Sequence, residues 1–235
     1  MEEQEEILNL ILGRKEEKDG KRKSTLQMAL SVARYLCCYN KGEDYSYSSF
    51  SRSRYIIMEP TSEGVVSRPT YEEADVLVAI LLYLIALEQI GELFIEPQSG
   101  NGNDPNGIAE ALYKYSVLKD DENGSKADKI DAIKHLRHSL AHNFGLASDK
   151  QSQKYKYKLT FDNENKYIIK LSDKKWNGDC TIKSDETSTK IHPINLIKEI
   201  ERIISAIQSD KNIKFLKNKD LEEVKTKYTI ILEQK

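Results

Sequence analysis

The chain has 235 residues and a mass of 27.0 kDa, with 39% hydrophobic and 31% charged residues, a globular composition that excludes a disordered tail protein. Glycine (11) and proline (5) together make about 7% of it where average usage gives roughly 12%, which favours long helices over a many-stranded sandwich or barrel. The net charge of −2 excludes general electrostatic coating of nucleic acid, so any contact with RNA or DNA needs a local patch.

Three cysteines, Cys37, Cys38 and Cys180, match neither a disulfide framework nor a zinc spacing, and reduced thiols are expected. The acidic N-terminus MEEQEEILNL lacks the basic and apolar regions of a secretory signal. The longest uncharged run, Val76 to Leu87, is twelve residues against the ~20 that span a bilayer. A cytoplasmic protein with no membrane partner is therefore expected.

In chain order, Glu2 to about Lys18 reads as an amphipathic helix ended by Asp19-Gly20. A second helix runs from a Ser24 or Thr25 cap to about Tyr39, with Leu26, Ala29, Leu30, Ala33 and Leu36/Cys37 at helical spacing. Residues 40–64 read as a loop with a short extended piece at Tyr55 to Met58. Thr70 and Glu73 then form a capping box that opens an apolar run to about Phe94. Val76 to Leu87 is apolar on every side, the mark of a helix buried all round.

Gln98 to Gly107 reads as a flexible connection. Its Gly-x-Gly has no preceding strand and no following Lys-Ser/Thr, so it is no phosphate cradle. A short helix is expected from Ile108 to about Lys119, and another, capped at Ser125, through Leu140 to about Ala147. Lys154 to Phe161 alternates strictly, Asn163 to Asn165 turns, and Lys166 to Leu171 returns, which reads as a β-hairpin; Cys180 to Lys183 adds a third strand. His192-Pro193 opens an amphipathic helix to about Gln208, with His192 as a cap or surface residue. Asp210 caps a last helix reaching Leu232.

The Asp128 to Phe144 helix has two faces at ~100° per residue. Ile133, Leu136, Leu140 and Phe144 form the core stripe, while Asp131, His135, His138 and His142 share the opposite one. Three of the four histidines thus lie on one polar stripe. Arg137 points along the core side, where an arginine must snorkel or find a carboxylate. Glu88, ending the Leu77-Leu81-Leu84 stripe of the long apolar helix, is the candidate orienting partner; the alternative leaves Glu88 as the first exposed residue at that helix end.

The segment Arg137-His138-Ser139-Leu140-Ala141-His142 resembles the Arg-x4-His signature of the HEPN superfamily, in which a polar residue often follows the arginine. The likeness covers about Leu26 to Ala147, and small Ser139 and Ala141 suit a close helix–helix approach. The resemblance implies a mainly α fold, a single domain over 1–235. The HEPN-like bundle spans about 24–147; the small β-hairpin read at about 154–171, inserted before the C-terminal helices at about 193–233, is an elaboration on it, and those helices are additions. It implies a homodimer that places both Arg-x4-His segments in one cleft, and a metal-independent endoribonuclease of the toxin or antiphage-defence type. RNA is then the substrate, an antitoxin or regulatory partner is expected, and no cofactor is needed.

The residue types suit that chemistry. Histidine works as acid or base near neutral pH, and arginine grips phosphate oxygens and stabilises developing charge. His142 is the candidate general acid/base, Arg137 the phosphate binder and His138 the support. Positions five apart differ by about 140° around a helix, so one chain converges poorly on a phosphate and a symmetric pair does better. Related toxins often carry a modifiable tyrosine two residues past the motif histidine. Phe144 stands there, which puts that control in doubt.

Other readings stay open. His138 and His142, with Asp131 or His135, could ligate a metal, although no Glu follows the first His as in zinc proteases. The histidines could also be a solvated face of a non-catalytic HEPN dimerisation or RNA-binding module. Lys154, Lys156 and Lys158 share one strand face in a stretch (150–175) with eight lysines against three acids. That face is either a track for single-stranded RNA or the solvent side of an ordinary half-packed hairpin.

Overall fold

The computed structural model describes residues 2–14, 22–37, 56–61, 64–69, 72–96, 106–143, 146–148, 157–164, 166–179, 185–216 and 220–231. Among them are seven α-helices and eight short strands, a mainly α chain. The helices are α1 (Glu2–Leu12), α2 (Thr25–Leu36), α3 (Glu72–Phe94), α4 (Gly107–Tyr115), α5 (Lys126–Asn143), α6 (Pro193–Ser209) and α7 (Leu221–Tyr228). The strands are β1 (Arg22–Ser24), β2 (Ile56–Thr61), β3 (Gly64–Pro69), β4 (Ala147–Ser148), β5 (Tyr157–Phe161), β6 (Ile169–Lys170), β7 (Ser188–Ile191) and β8 (Thr229–Ile231).

Local signals start and stop these helices. α1 buries Ile7, Leu8, Ile11 and Leu12 and stops well before the expected Lys18. Gly13 adopts φ 68°, and the Arg14 N–H returns to the Asn9 carbonyl at 2.9 Å, a left-handed C-terminal closure that favours glycine. The Arg14 guanidinium then donates to the carbonyls of Ile207 (3.1 Å), Gln208 (2.7 Å) and Asp210 (2.6 Å), a cation on the C-terminus of α6. Ser24 Oγ accepts from Gln27 N at 3.2 Å and opens α2, which ends at Leu36 rather than Tyr39. The Thr70 cap lies outside the described residues.

α3 is the central helix. Within it Asp75–Phe94 is long and apolar enough to cross a membrane by length and composition, which the twelve-residue uncharged run understates. More than half of that stretch is buried inside the protein, against α2, α4, α5 and α6. A buried cluster fastens it. Glu201 of α6 accepts from Arg34 Nε (2.7 Å), Arg34 Nη2 (2.9 Å) and the Tyr83 hydroxyl (2.7 Å). Burial first, then Cys37 and Glu201, push the Tyr83 phenol far up, so it remains a donor.

Three expectations are corrected. Residues 154–171 do not form a hairpin: β5 and β6 are separated by β7 in a mixed sheet of order β4-β5-β7-β6, with β5–β7 parallel and β6–β7 antiparallel. Alternation sets which face of a strand is buried and leaves its neighbour undetermined; Tyr157 and Leu159 do point inward. The expected third strand at 180–183 lies outside the described residues, and the strand that joins the sheet is Ser188–Ile191. The final helix does not run from Asp210 to Leu232. Asp210 is instead the C-cap of α6, Asp220 Oδ1 caps the short α7 at 2.8 Å, and Thr229–Ile231 pairs antiparallel with β1. That non-local pairing, made by β-branched residues, overrides helical periodicity. Finally, the extended piece expected at Tyr55 to Met58 within the 40–64 loop is part of a longer strand, β2, which pairs antiparallel with β3, Ile56 opposite Pro69 through Thr61 opposite Gly64.

Candidate active site

Helix α5 carries the motif, and its start is fixed locally. Ser125 Oγ accepts from Asp128 N at 3.1 Å and meets Asp128 Oδ2 at 2.7 Å. Ile130, Ala132, Ile133, Leu136 and Leu140 are buried as the core stripe. The helix stops at Asn143, short of the expected Ala147, which enters β4.

The opposite stripe is not one solvated face. His135 is buried: its Nε2 lies 3.5 Å from Asp131 Oδ2, and its ring sits 4.8 Å from that of Tyr157 on β5. The Tyr157 hydroxyl donates to Asp131 Oδ2 at 3.0 Å. Burial raises the Asp131 carboxyl, but hydrogen bonds from His135 and Tyr157 and the His135 and Lys134 charges outweigh it and hold the group below its ordinary value. Ser139, fully buried, donates to the Ala147 carbonyl at 3.1 Å. Its hydroxyl thus ties α5 to strand β4. The sheet covers the N-terminal half of the stripe. The sequence holds no local sign of this, because the covering strands, β4 and β5, begin 4 and 14 residues beyond the helix.

The remaining pair is outward. His138 is half-buried and His142 exposed, with ring centroids 4.4 Å apart at 47°. Arg137 Nη2 lies 2.5 Å from Glu88 Oε2, with the Glu88 side chain only 9% exposed and that of Arg137 26%. Glu88 is thus inside the protein and paired, and it is not the exposed helix end of the other reading. Arg137 Nε is buried with no hydrogen-bond partner among the described residues. Burial, reinforced by Glu92, raises the Glu88 carboxyl above its ordinary value; the Arg137 charge and Asn106 oppose the rise.

Sequence reasoning missed the residues that seat Glu88. Asn106 Nδ2 approaches Glu88 Oε1 at 3.4 Å, and α3 crosses α4 at Gly91 and Gly107. A glycine inside an otherwise apolar helix was the available signal, since it marks close backbone approach. Of the lysine face, Lys158 is half-buried on β5, while Lys154 and Lys156 lie outside the described residues, as do Phe144, Cys38 and Cys180. Cys37 is buried and reduced. His192 is the N-cap of α6, its Nδ1 accepting from Asn195 N at 3.2 Å.

Among the described residues no group of three or more His, Cys, Asp and Glu side chains is arranged to hold a metal ion. The two further ligands that a His138–His142 site would need, Asp131 and His135, are engaged with one another and with Tyr157. Compared with family models, curated proteins and solved structures, the chain matches none of them.

Proposed function

We propose that this protein is a HEPN-type, metal-independent endoribonuclease, cytoplasmic and active as a homodimer, of the toxin or antiphage-effector kind. The observation that carries the reading is that one helix, α5, bears both the Arg137–Glu88 ion pair and the outward His138–His142 ring contact. It supplies a fixed guanidinium and an accessible imidazole, the groups that transesterification of RNA needs. In that reaction the 2′-hydroxyl, deprotonated by a base, attacks the adjacent phosphorus. The 5′-oxygen leaves with a proton from an acid, and a cyclic 2′,3′-phosphate and a 5′-hydroxyl remain.

His142 serves as acid or base, His138 supports it, and Arg137 takes the phosphate oxygens. The Arg137 side chain keeps 26% of its surface exposed beside the Glu88 contact, and that part is the one that meets the phosphate. Two copies of α5 across a two-fold axis supply a base and an acid together. Lys158, with Lys154 and Lys156, extends the contact to the RNA backbone, and an antitoxin or regulatory partner restrains the enzyme. A non-catalytic dimerisation or RNA-binding module is the second reading. It is favoured by the neutralisation of Arg137 by Glu88, which a purely structural arginine also requires.

The test is cleavage of total RNA in EDTA by the full chain, with Arg137→Ala and His142→Ala compared at equal dimer content by sedimentation. Each substitution should abolish cleavage and leave the dimer intact, and the ends should be cyclic phosphate and 5′-hydroxyl. Activity untouched by either change would refute the nuclease reading.

A further inference from the structure

Glu88 lies where two helix backbones touch. A Cβ on Gly107 would come within 2.0 Å of the Glu88 carbonyl oxygen, and one on Gly91 within 1.9 Å of the Gly107 carbonyl oxygen. Two glycines therefore let the first turn of α4 dock directly on the turn of α3 that bears Glu88. The residue at that junction is Asn106, whose amide is divided between two tasks. Its Oδ1 accepts from Ile108 N (3.0 Å) and Ala109 N (3.3 Å) and caps α4. With Oδ1 committed, Nδ2 is turned to Glu88 Oε1 at 3.4 Å. The α4 N-terminus adds its own partial positive charge beside the carboxylate.

We propose that Asn106 is a positioning residue for the site: it holds one oxygen of Glu88 so that the other keeps Arg137 aimed at the substrate phosphate. Aspartate and serine cap helices about as well as asparagine. Neither does both tasks, since aspartate offers Glu88 no donor and adds a like charge, and serine is too short to reach it. The charged groups acting on Glu88 are Arg137 from α5, which favours its ionised form, and Glu92 from the next turn of α3, which opposes it. Losing the Asn106 donor tips that balance toward the protonated acid, which no longer fixes Arg137. The catalytic part of this inference rests on the nuclease reading; the clamp itself rests on geometry.

The experiment compares Asn106→Ser and Asn106→Asp with the wild type in the full chain. Cleavage of a single-stranded RNA oligonucleotide in EDTA is measured from about pH 5 to 8, alongside thermal unfolding over the same range. The expected order of kcat is wild type, Ser, Asp, with losses of about threefold and about tenfold. The acid limb should move to higher pH in the same order, and KM should change less than kcat. In a Glu88→Gln background the Asp substitution should have no further effect, because the group it acts on is gone. A capping role alone predicts three equal proteins with one acid limb, and that result overturns the proposal. If the wild type cleaves no RNA, the nuclease reading fails, and unfolding decides the clamp. Asn106→Asp should then lower the thermal midpoint increasingly as pH rises, an effect erased by Glu88→Gln; coincident midpoints overturn it.

Discussion

Alanine at position 107 tests the crossing that seats Glu88. Its Cβ would sit 2.0 Å from the Glu88 carbonyl oxygen, 2.8 Å from Glu92 N and 2.9 Å from the Glu88 carbonyl carbon. All three atoms are backbone, so no side-chain rotation relieves the overlap. Reaching ordinary contact at 3.4 Å requires α3 and α4 to part by about 1.4 Å, against tightly packed neighbours. Local preference works the other way: alanine in a helix gains up to ~1 kcal/mol over glycine. A backbone overlap of this depth lies at the upper end of the about 1–3 kcal/mol that overpacking costs, so the net loss should be about 1–2 kcal/mol. At roughly 2–4 °C per kcal/mol for a chain of this size, the thermal midpoint should fall by about 2–8 °C. Circular dichroism melts measure it directly. The double variant Gly91→Ala with Gly107→Ala should lose less than the sum, because one separation relieves both contacts. A Gly107→Ala midpoint at or above wild type would refute the backbone contact as described.

Two further expectations concern the scaffold. Burial, helped by Lys198, pulls the His192 imidazole below its ordinary value against Asp162 and local backbone contacts. Its contribution is therefore complete above about pH 6.5 and is lost as pH falls through the lowered folded-state value, when Nδ1 gains a proton and can no longer accept from Asn195 N. His192→Asn keeps a cap without a titrating group and should flatten the melting-temperature profile between about pH 5 and 7; an unchanged slope would clear His192 of that role. In the α2–α3–α6 cluster, Tyr83→Phe removes one hydrogen bond and should cost about 1 kcal/mol in urea unfolding. Glu201→Ala removes the acceptor of a buried phenol and both carboxylate contacts of the half-buried Arg34 guanidinium, and should cost about 3 kcal/mol. Equal losses from the two variants would contradict a shared carboxylate.

The elements that were legible in the sequence carry their own local instructions. The Ser24, Ser125 and His192-Pro193 starts and the 3.6-residue apolar spacing of α2, α5 and α6 act within a turn or two, so they read directly from the chain. The Glu88–Arg137 pairing was legible too, because a carboxylate and a guanidinium on apolar stripes each need a partner to be buried.

Pairing between distant segments left no such mark. Nothing near Ser188–Ile191 shows that it slips between β5 and β6, and nothing near Thr229 shows that it ends a helix to join β1. The same holds for His135: its position on the helix wheel follows from the sequence, while its burial under Tyr157 depends on where the sheet docks. The sequence by itself determined the helical class, the central apolar helix and the side chains gathered on α5. Only the tertiary structure decided which of those side chains remain open to solvent. Periodicity is a property of one helix, and exposure is a property of what packs against it.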